Sequence, residues 1–150
     1  MLIKTGIPID KCYPCITWAY KFFETHIDYP LFREIILDET NWEKSAMLVD
    51  DNDRIFGLYL IGDRQLNDLI PNNTNYKNKV GVQGVLLAVD NSLRGQGWGN
   101  KLKDYPKTLG FDYIWGEQLK TLNNLKDWLK RRKLVAQTEY CYITLEEFNK

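Results

Sequence analysis

Residues 80–102 read VGVQGVLLAVDNSLRGQGWGNKL. The first ten, Val80 to Val89, are almost continuously apolar, which is too apolar for a half-exposed strand and predicts a central strand covered on both faces. Gly81 and Gly84 inside the run mark a bulge or a close approach of backbone. After a turn through Asp90, apolar side chains recur at helical spacing through Trp98, Leu102 and Tyr105, and Pro106 ends or bends that helix. Between strand and helix stand Arg94, Gly95, Gln96, Gly97, Trp98 and Gly99. Three alternating glycines keep Cβ atoms away from the main chain, so a ligand can come close to it. The free N–H groups at a helix start, with the dipole behind them, suit a phosphate or pyrophosphate. Arg94 adds a planar fork for phosphate oxygens. The spacing G-x-G-x-G differs from the dinucleotide fingerprint G-x-G-x-x-G, and the Lys-Ser/Thr pair of a P-loop is missing.

Upstream, residues 13–25 (YPCITWAYKFFET) predict a helix with Ile16, Ala19, Tyr20 and Phe23 on one face and Pro14 in its first turn. Leu31 to Asp38 predicts a second helix, with Phe32, Ile35 and Ile36 together. Residues 45–62 read as two strands around the turn Asp51-Asn52-Asp53. Residues 63–79 form a long polar connection of the kind used as functional lids or left mobile. Downstream, residues 110–118 (GFDYIWGEQ) predict a buried strand. Residues 121–132 predict a helix whose apolar face is Leu122, Leu125, Trp128 and Leu129. The basic run Lys130 to Lys133 reads as a solvated helix end that complements the dipole, with contact to anionic groups as the rival role. Residues 135–145 (VAQTEYCYITL) read as one long strand. The order implies an α/β fold, a mixed central sheet flanked by helices, with parallel neighbours where a helix intervenes.

The chain has 150 residues, which suits one domain over 1–150. Its 20 basic and 20 acidic residues cancel, so no global field draws in nucleic acid. The first residues, MLIKTGIPIDK, lack the apolar core of a signal peptide, and no run approaches the roughly 18 apolar residues of a membrane span. The expectation is a cytosolic protein without a membrane partner, either monomer or homodimer. Cys12 and Cys15 form a C-x-x-C, read as small apolar residues opening a helix; a redox couple or half a zinc site is the alternative. No second C-x-x-C follows and His26 is the sole histidine, so no metal site is assigned.

The segment resembles the pyrophosphate-binding signature of the GNAT superfamily of N-acetyltransferases, [Q/R]-x-x-G-x-[G/A]. Here it stands as Arg94, Gly97 and Gly99, preceded by Leu87-Ala88-Val89 and followed by a helix containing Leu102. The resemblance implies a GNAT-like sheet with a shortened C-terminal strand region, since one clear closing strand remains where the family has two. It implies acetyl-CoA as cosubstrate and transfer of its acetyl group to a small-molecule or protein amine. The pantetheine arm would bond the backbone at Leu87, Ala88 and Val89, in a gap opened by a bulge at Gly84. The loop Arg94, Gly95, Gln96, Gly97, Trp98 and Gly99 would take the pyrophosphate, and Asn123 or Asn124 would contact the coenzyme. Family members commonly place a tyrosine acid in the last helix. Here Leu129 or Lys130 falls there, so Tyr140, Tyr142 or water is the implied substitute. Glu117, just past a buried strand, is the candidate general base, with a solvated strand-end charge as its plainer reading. Gln83 falls where some members carry an acid and takes no proton. Two alternatives stand beside it: a GNAT-fold module that holds coenzyme A without catalysis, and a divergent acyltransferase acting on nucleic acid.

Overall fold

The computed structural model describes residues 1–71, 76, 78–121 and 125–148, less the side chains of Leu125 and Trp128. The strands are β1 (Leu2–Thr5), β2 (Ala46–Val49), β3 (Ile55–Gly62), β4 (Gly81–Val89), β5 (Tyr113–Leu119), β6 (Lys133–Gln137) and β7 (Cys141–Glu147). The helices are α1 (Cys12–Tyr20), α2 (Tyr29–Glu39), the single turn α3 (Leu66–Leu69), α4 (Trp98–Asp104) and α5 (Leu125–Arg131). The strands make one sheet in the order β1-β2-β3-β4-β5-β7-β6. Every neighbouring pair is antiparallel except β4 and β5, which α4 connects.

Period-2 alternation divides the strands between two layers. Leu58 and Leu60 of β3, with Leu86 and Ala88 of β4, pack under α1 and α2 against Ile16, Ala19, Phe32 and Ile36. Tyr59, Ile61 and Val82 face the other way and meet Leu102 of α4, with Leu87, Val89 and Trp98 partly buried beside them. The central strand is therefore covered on both faces, as its composition requires. Ile35, expected on the buried face of α2, is 38% exposed. Leu129, expected on the buried face of the last helix, is exposed as well, and Leu122 lies outside the described residues.

One element has no counterpart in the sequence reading, and two expectations need correction. β1 is an edge strand that carries no apolar alternation: Leu2 is exposed, and register with β2 holds it in place. The C-terminal strand region is not shortened. It divides into β6 and β7 at residues 138–140, where Thr138 N–H donates to the Cys141 carbonyl at 2.8 Å and Cys141 N–H donates back to Thr138 Oγ1 at 3.1 Å. The described residues of the connection 63–79 include two anchors. Leu66 is fully buried and Tyr76 nearly so, both packed on Tyr113, Trp115 and Leu145. No helix among the described residues is long and apolar enough to cross a membrane.

Candidate active site

The register between β4 and β5 runs through three pairs, Gly81 with Tyr113, Val82 with Ile114 and Gln83 with Trp115, and then stops. Beyond it β5 stays paired with β7 through Leu119, and β4 stays paired with β3 to Val89. The two central strands therefore diverge from Gly84 onward, leaving one edge of β4 without a ladder partner. Two local features flank the point of divergence. The β3–β4 register slips between Leu60 and Ile61, which pair with Leu86 and Gly84, so Val85 is an extra residue that bends the strand. Gly116 lets the backbones stay close at the last contact: a Cβ there would stand 2.9 Å from the Gly84 carbonyl oxygen.

The split widens into a cleft of about 840 Å³. Along its length run Gly84, Val85, Leu86, Leu87, Ala88 and Val89; at one end lie Arg94, Gly95, Gly97, Gly99 and Asn100. Glu117, Gln118 and Arg132 form the opposite wall, and Phe22, Phe23 and His26, from the turns after α1, close one side. Gln118 is held by Thr144, whose Oγ1 donates to its Oε1 at 2.6 Å.

At the loop end, Gly95 and Gly97 have φ of +80° and +81°, a region that favours glycine, and Gly97 caps α4. An ideal Cβ at Gly95, Gly97 or Gly99 would meet nothing within 4 Å, so the loop offers an open concavity of backbone. Arg94 is exposed, with Nη2 3.4 Å from Asn91 Oδ1. Gln96 and Trp98, predicted with this loop, do not line the cleft. Gln96 Nε2 donates to the Ser92 carbonyl at 3.3 Å, and Trp98 packs on the α4 core with Lys101 Nζ 4.4 Å from its ring centroid. Asn123 and Asn124 lie outside the described residues. The loop is tied to the sheet by Asp90, whose carboxylate accepts from Ser92 N–H at 2.9 Å and from Lys21 Nζ at 3.1 Å. Those hydrogen bonds, the Ser92 amide first, hold its pKa below the ordinary carboxylate value.

On the far wall, Glu117 accepts from Arg64 Nη1 at 3.3 Å, and the same nitrogen bonds Glu39 at the end of α2. Gln83 is buried, and its Oε1 accepts from Arg64 N–H at 3.2 Å, a structural role at the closed end of the split. His26 Nδ1 lies 3.0 Å from Thr121 Oγ1, joining the turns after α1 to the end of β5.

Of two further cleft residues, Tyr59 has no role in the sequence reading and Arg132 appears there only within the run Lys130 to Lys133. Arg132, read there as part of a solvated run, is 7% exposed, while Lys130, Arg131 and Lys133 are exposed. Its Nη2 donates at 3.2 Å to the hydroxyl of Tyr59, which is 2% exposed and also lines the cleft. Burial raises the Tyr59 pKa, and the Arg132 charge works against that rise. Tyr140 and Tyr142, the tyrosines implied as acids, do not line the cleft. Tyr140 is 70% exposed on the β6–β7 turn, and Lys120 Nζ sits 5.1 Å from the ring centroid of Tyr142. Cys12 and Cys15 are buried away from the cleft, and burial pushes the Cys15 thiol up to about 12, which suits the apolar role.

A split between parallel central strands, a bulge on the first of them and a glycine turn at its end define a known architecture. Its fold is that of the GNAT N-acetyltransferases. PaiA N-acetyltransferase from Thermoplasma acidophilum, solved in complex with coenzyme A, matches 99% of this chain and 100% of its own at 10% identity, TM-score 0.65. The GNAT-family N-acetyltransferase YhbS from Escherichia coli, also solved with coenzyme A, matches 97% of this chain and 80% of its own at 19% identity, TM-score 0.63. PH1933 from Pyrococcus horikoshii matches 99% and 100% at 16% identity, TM-score 0.67. No protein-family model and no curated protein sequence matches the chain. The GNAT fold thus rests on the arrangement of elements, with little residue identity beneath it.

Proposed function

We propose that residues 1–150 form one acyltransferase domain that takes the acetyl group of acetyl-CoA and gives it to a primary amine by direct attack on the thioester. The observation that carries this reading is the continuous cleft from the open backbone of Gly95, Gly97 and Gly99 to the point where β4 and β5 part. The loop N–H groups and the Arg94 fork would hold the pyrophosphate. The unpaired edge of β4, at Leu87, Ala88 and Val89, offers main-chain groups to the amides of the pantetheine arm, much as a neighbouring strand would. Coenzyme A complexes of PaiA and YhbS, which share the fold, support the same ligand here. When bound, acetyl-CoA supplies an activated acyl carbon.

The chain's residues would do the rest. Glu117 lines the cleft with its carboxylate shared with Arg64, placed to take a proton from an incoming ammonium so that a neutral amine attacks. Glu39 and Glu117 share the one guanidinium of Arg64, which leaves a net negative charge beside the cleft that suits a cationic acceptor. The test has two readouts, calorimetric titration with coenzyme A and release of free thiol from acetyl-CoA against a panel of amines. Binding without thiol release across the panel would leave a coenzyme-holding module. Absence of binding would remove the reading altogether.

A further inference from the structure

Beside the candidate base Glu117, acetyl transfer calls for an acid. When an amine attacks a thioester, sulfur departs with the electron pair of the C–S bond, and a thiolate in a water-poor cleft needs a proton or a positive neighbour. Tyr140 and Tyr142 do not line the cleft. Tyr59 is the tyrosine among the described residues that lines it.

Its position matches the reacting end. From Val89, beside the glycine loop, to Gly84 is five residues of strand, about 16 Å at the usual rise. That is the scale of an extended pantetheine arm, so an arm anchored at the loop brings its sulfur to Gly84. There the Tyr59 hydroxyl stands 3.4 Å from where a Gly84 Cβ would be, and Arg132 Nη1 stands 3.7 Å from where a Gly116 Cβ would be. Phenol and guanidinium thus lie together where the strands part.

A guanidinium only donates, so in the Arg132–Tyr59 contact the phenol oxygen is the acceptor. The phenol keeps its own hydrogen, and no described residue accepts it. A buried phenol alone is a poor acid, because its anion would be stranded in a dry site; a fixed guanidinium 3.2 Å away stabilises that anion.

We propose that Tyr59, positioned by Arg132, protonates the departing thiolate, a role that rests on the acetyl-transfer reading above. The amine nitrogen bonds the acyl carbon, the C–S bond breaks with its electrons on sulfur, and the Tyr59 O–H proton passes to sulfur to give the free thiol. Glu117 has by then passed the ammonium proton to solvent, so it can take the second proton that the acylated nitrogen sheds. The phenolate, paired with Arg132, recovers one proton from solvent, and one proton is released overall.

The experiment compares wild type, Tyr59→Phe and Arg132→Met, each checked by circular dichroism melting and coenzyme A titration. With acetyl-CoA, Tyr59→Phe should lower kcat about 10²-fold or more, the scale of a lost general acid. With an aryl acetate, whose phenolate leaving group needs no proton, the same variant should approach the wild-type rate. A second readout needs no turnover: the ultraviolet thiolate signal of bound coenzyme A should titrate about 1 pH unit or more lower in wild type than in either variant. Equal loss with both donors, or an unchanged thiolate titration, would overturn the role while leaving acetyl transfer intact. Preference for succinyl-CoA over acetyl-CoA that vanishes in Arg132→Met would also overturn it, by making Arg132 a reader of acyl carboxylates. Wild type that neither binds coenzyme A nor releases thiol would instead bring down the underlying reading.

Discussion

In the proposed reaction Glu117 is a base that already holds an ion pair, with Arg64 Nη1 3.3 Å from its carboxylate. An incoming ammonium must share or displace that contact, and the base is uncovered as the acceptor arrives. Glu117→Gln keeps the shape and loses the basicity. The rate with an active amine should fall about 10²–10⁴-fold at neutral pH. That loss should shrink toward the amine's own pKa, roughly 10 for a lysine-like acceptor, because more amine then arrives neutral. A pH–rate profile of both forms decides it; parallel profiles would return Glu117 to a surface charge. The loop makes a separate prediction. Gly99 has an ordinary φ and open space around it, so Gly99→Val tests the cradle without the backbone strain that Gly97 would add. It should abolish coenzyme A binding with little change in melting temperature, while Arg94→Ala should weaken binding by about 1–3 kcal/mol; unchanged titrations in both would move the anion site. These loop residues were legible in the sequence because a positive φ and an open main chain demand particular residue types at fixed spacing. Tyr59 and Arg132 were not. They stand 73 positions apart, one within an apolar strand and the other within a basic run, and only the fold makes them neighbours.

The elements that position the site are held by a few polar ties as well as by the core. Asp90 is the clearest, accepting from Ser92 N–H at the end of β4 and from Lys21 after α1, and so joining the first helix to the start of the glycine loop. Its folded pKa lies below the unfolded value near 3.9, so its stabilisation is fully present above about pH 4 and is lost as pH falls through the depressed folded value. Asp90→Asn keeps a cap acceptor and loses the charge, so it should melt slightly below wild type at pH 7, by at most about 1 kcal/mol, the scale of a partly exposed ion pair, and the two curves should converge as pH falls through the depressed folded value. A gap that persists in acid would mean packing, not charge, is what the substitution disturbs. Most elements could be read from periodicity: β4, the β2–β3 hairpin, α4 and the helical pair α1 and α2 all carry strong patterns. β1 could not, since an exposed edge strand has no buried alternation to show. The β6–β7 turn was hidden because it holds no glycine, proline or asparagine and closes instead through the Thr138 hydroxyl. The 63–79 segment looked loose because two anchors, Leu66 and Tyr76, sit among polar neighbours and reveal themselves only by burial.

At the scale of the molecule, the sheet is two sub-sheets joined at one narrow place. β1 to β4 form one, β5 to β7 the other, and three residue pairs between β4 and β5 connect them. Opposite Gly84 to Val89, the β4 edge has no ladder partner on the β5 side. A pantetheine arm in that gap would act as a short extra strand and bridge the two halves, so coenzyme A should alter dynamics as well as occupy space. Amide hydrogen exchange provides the measure. Without ligand, amides of residues 85–89 that point into the gap should exchange faster than their neighbours bonded to β3. With coenzyme A near 100 times its Kd, those amides should slow most, and β5 amides from Gly116 to Leu119 should slow with them. Global stability should rise by about 2.7 kcal/mol from mass action alone. For a chain of this size that is a melting shift of about 5–10 °C. The two readouts separate the possibilities. A melting shift with protection confined to the glycine loop would mean that the nucleotide binds and the arm stays outside the sheet. Protection concentrated on both edges of the split would place the arm between the halves, with the sulfur near Gly84 and within reach of Tyr59.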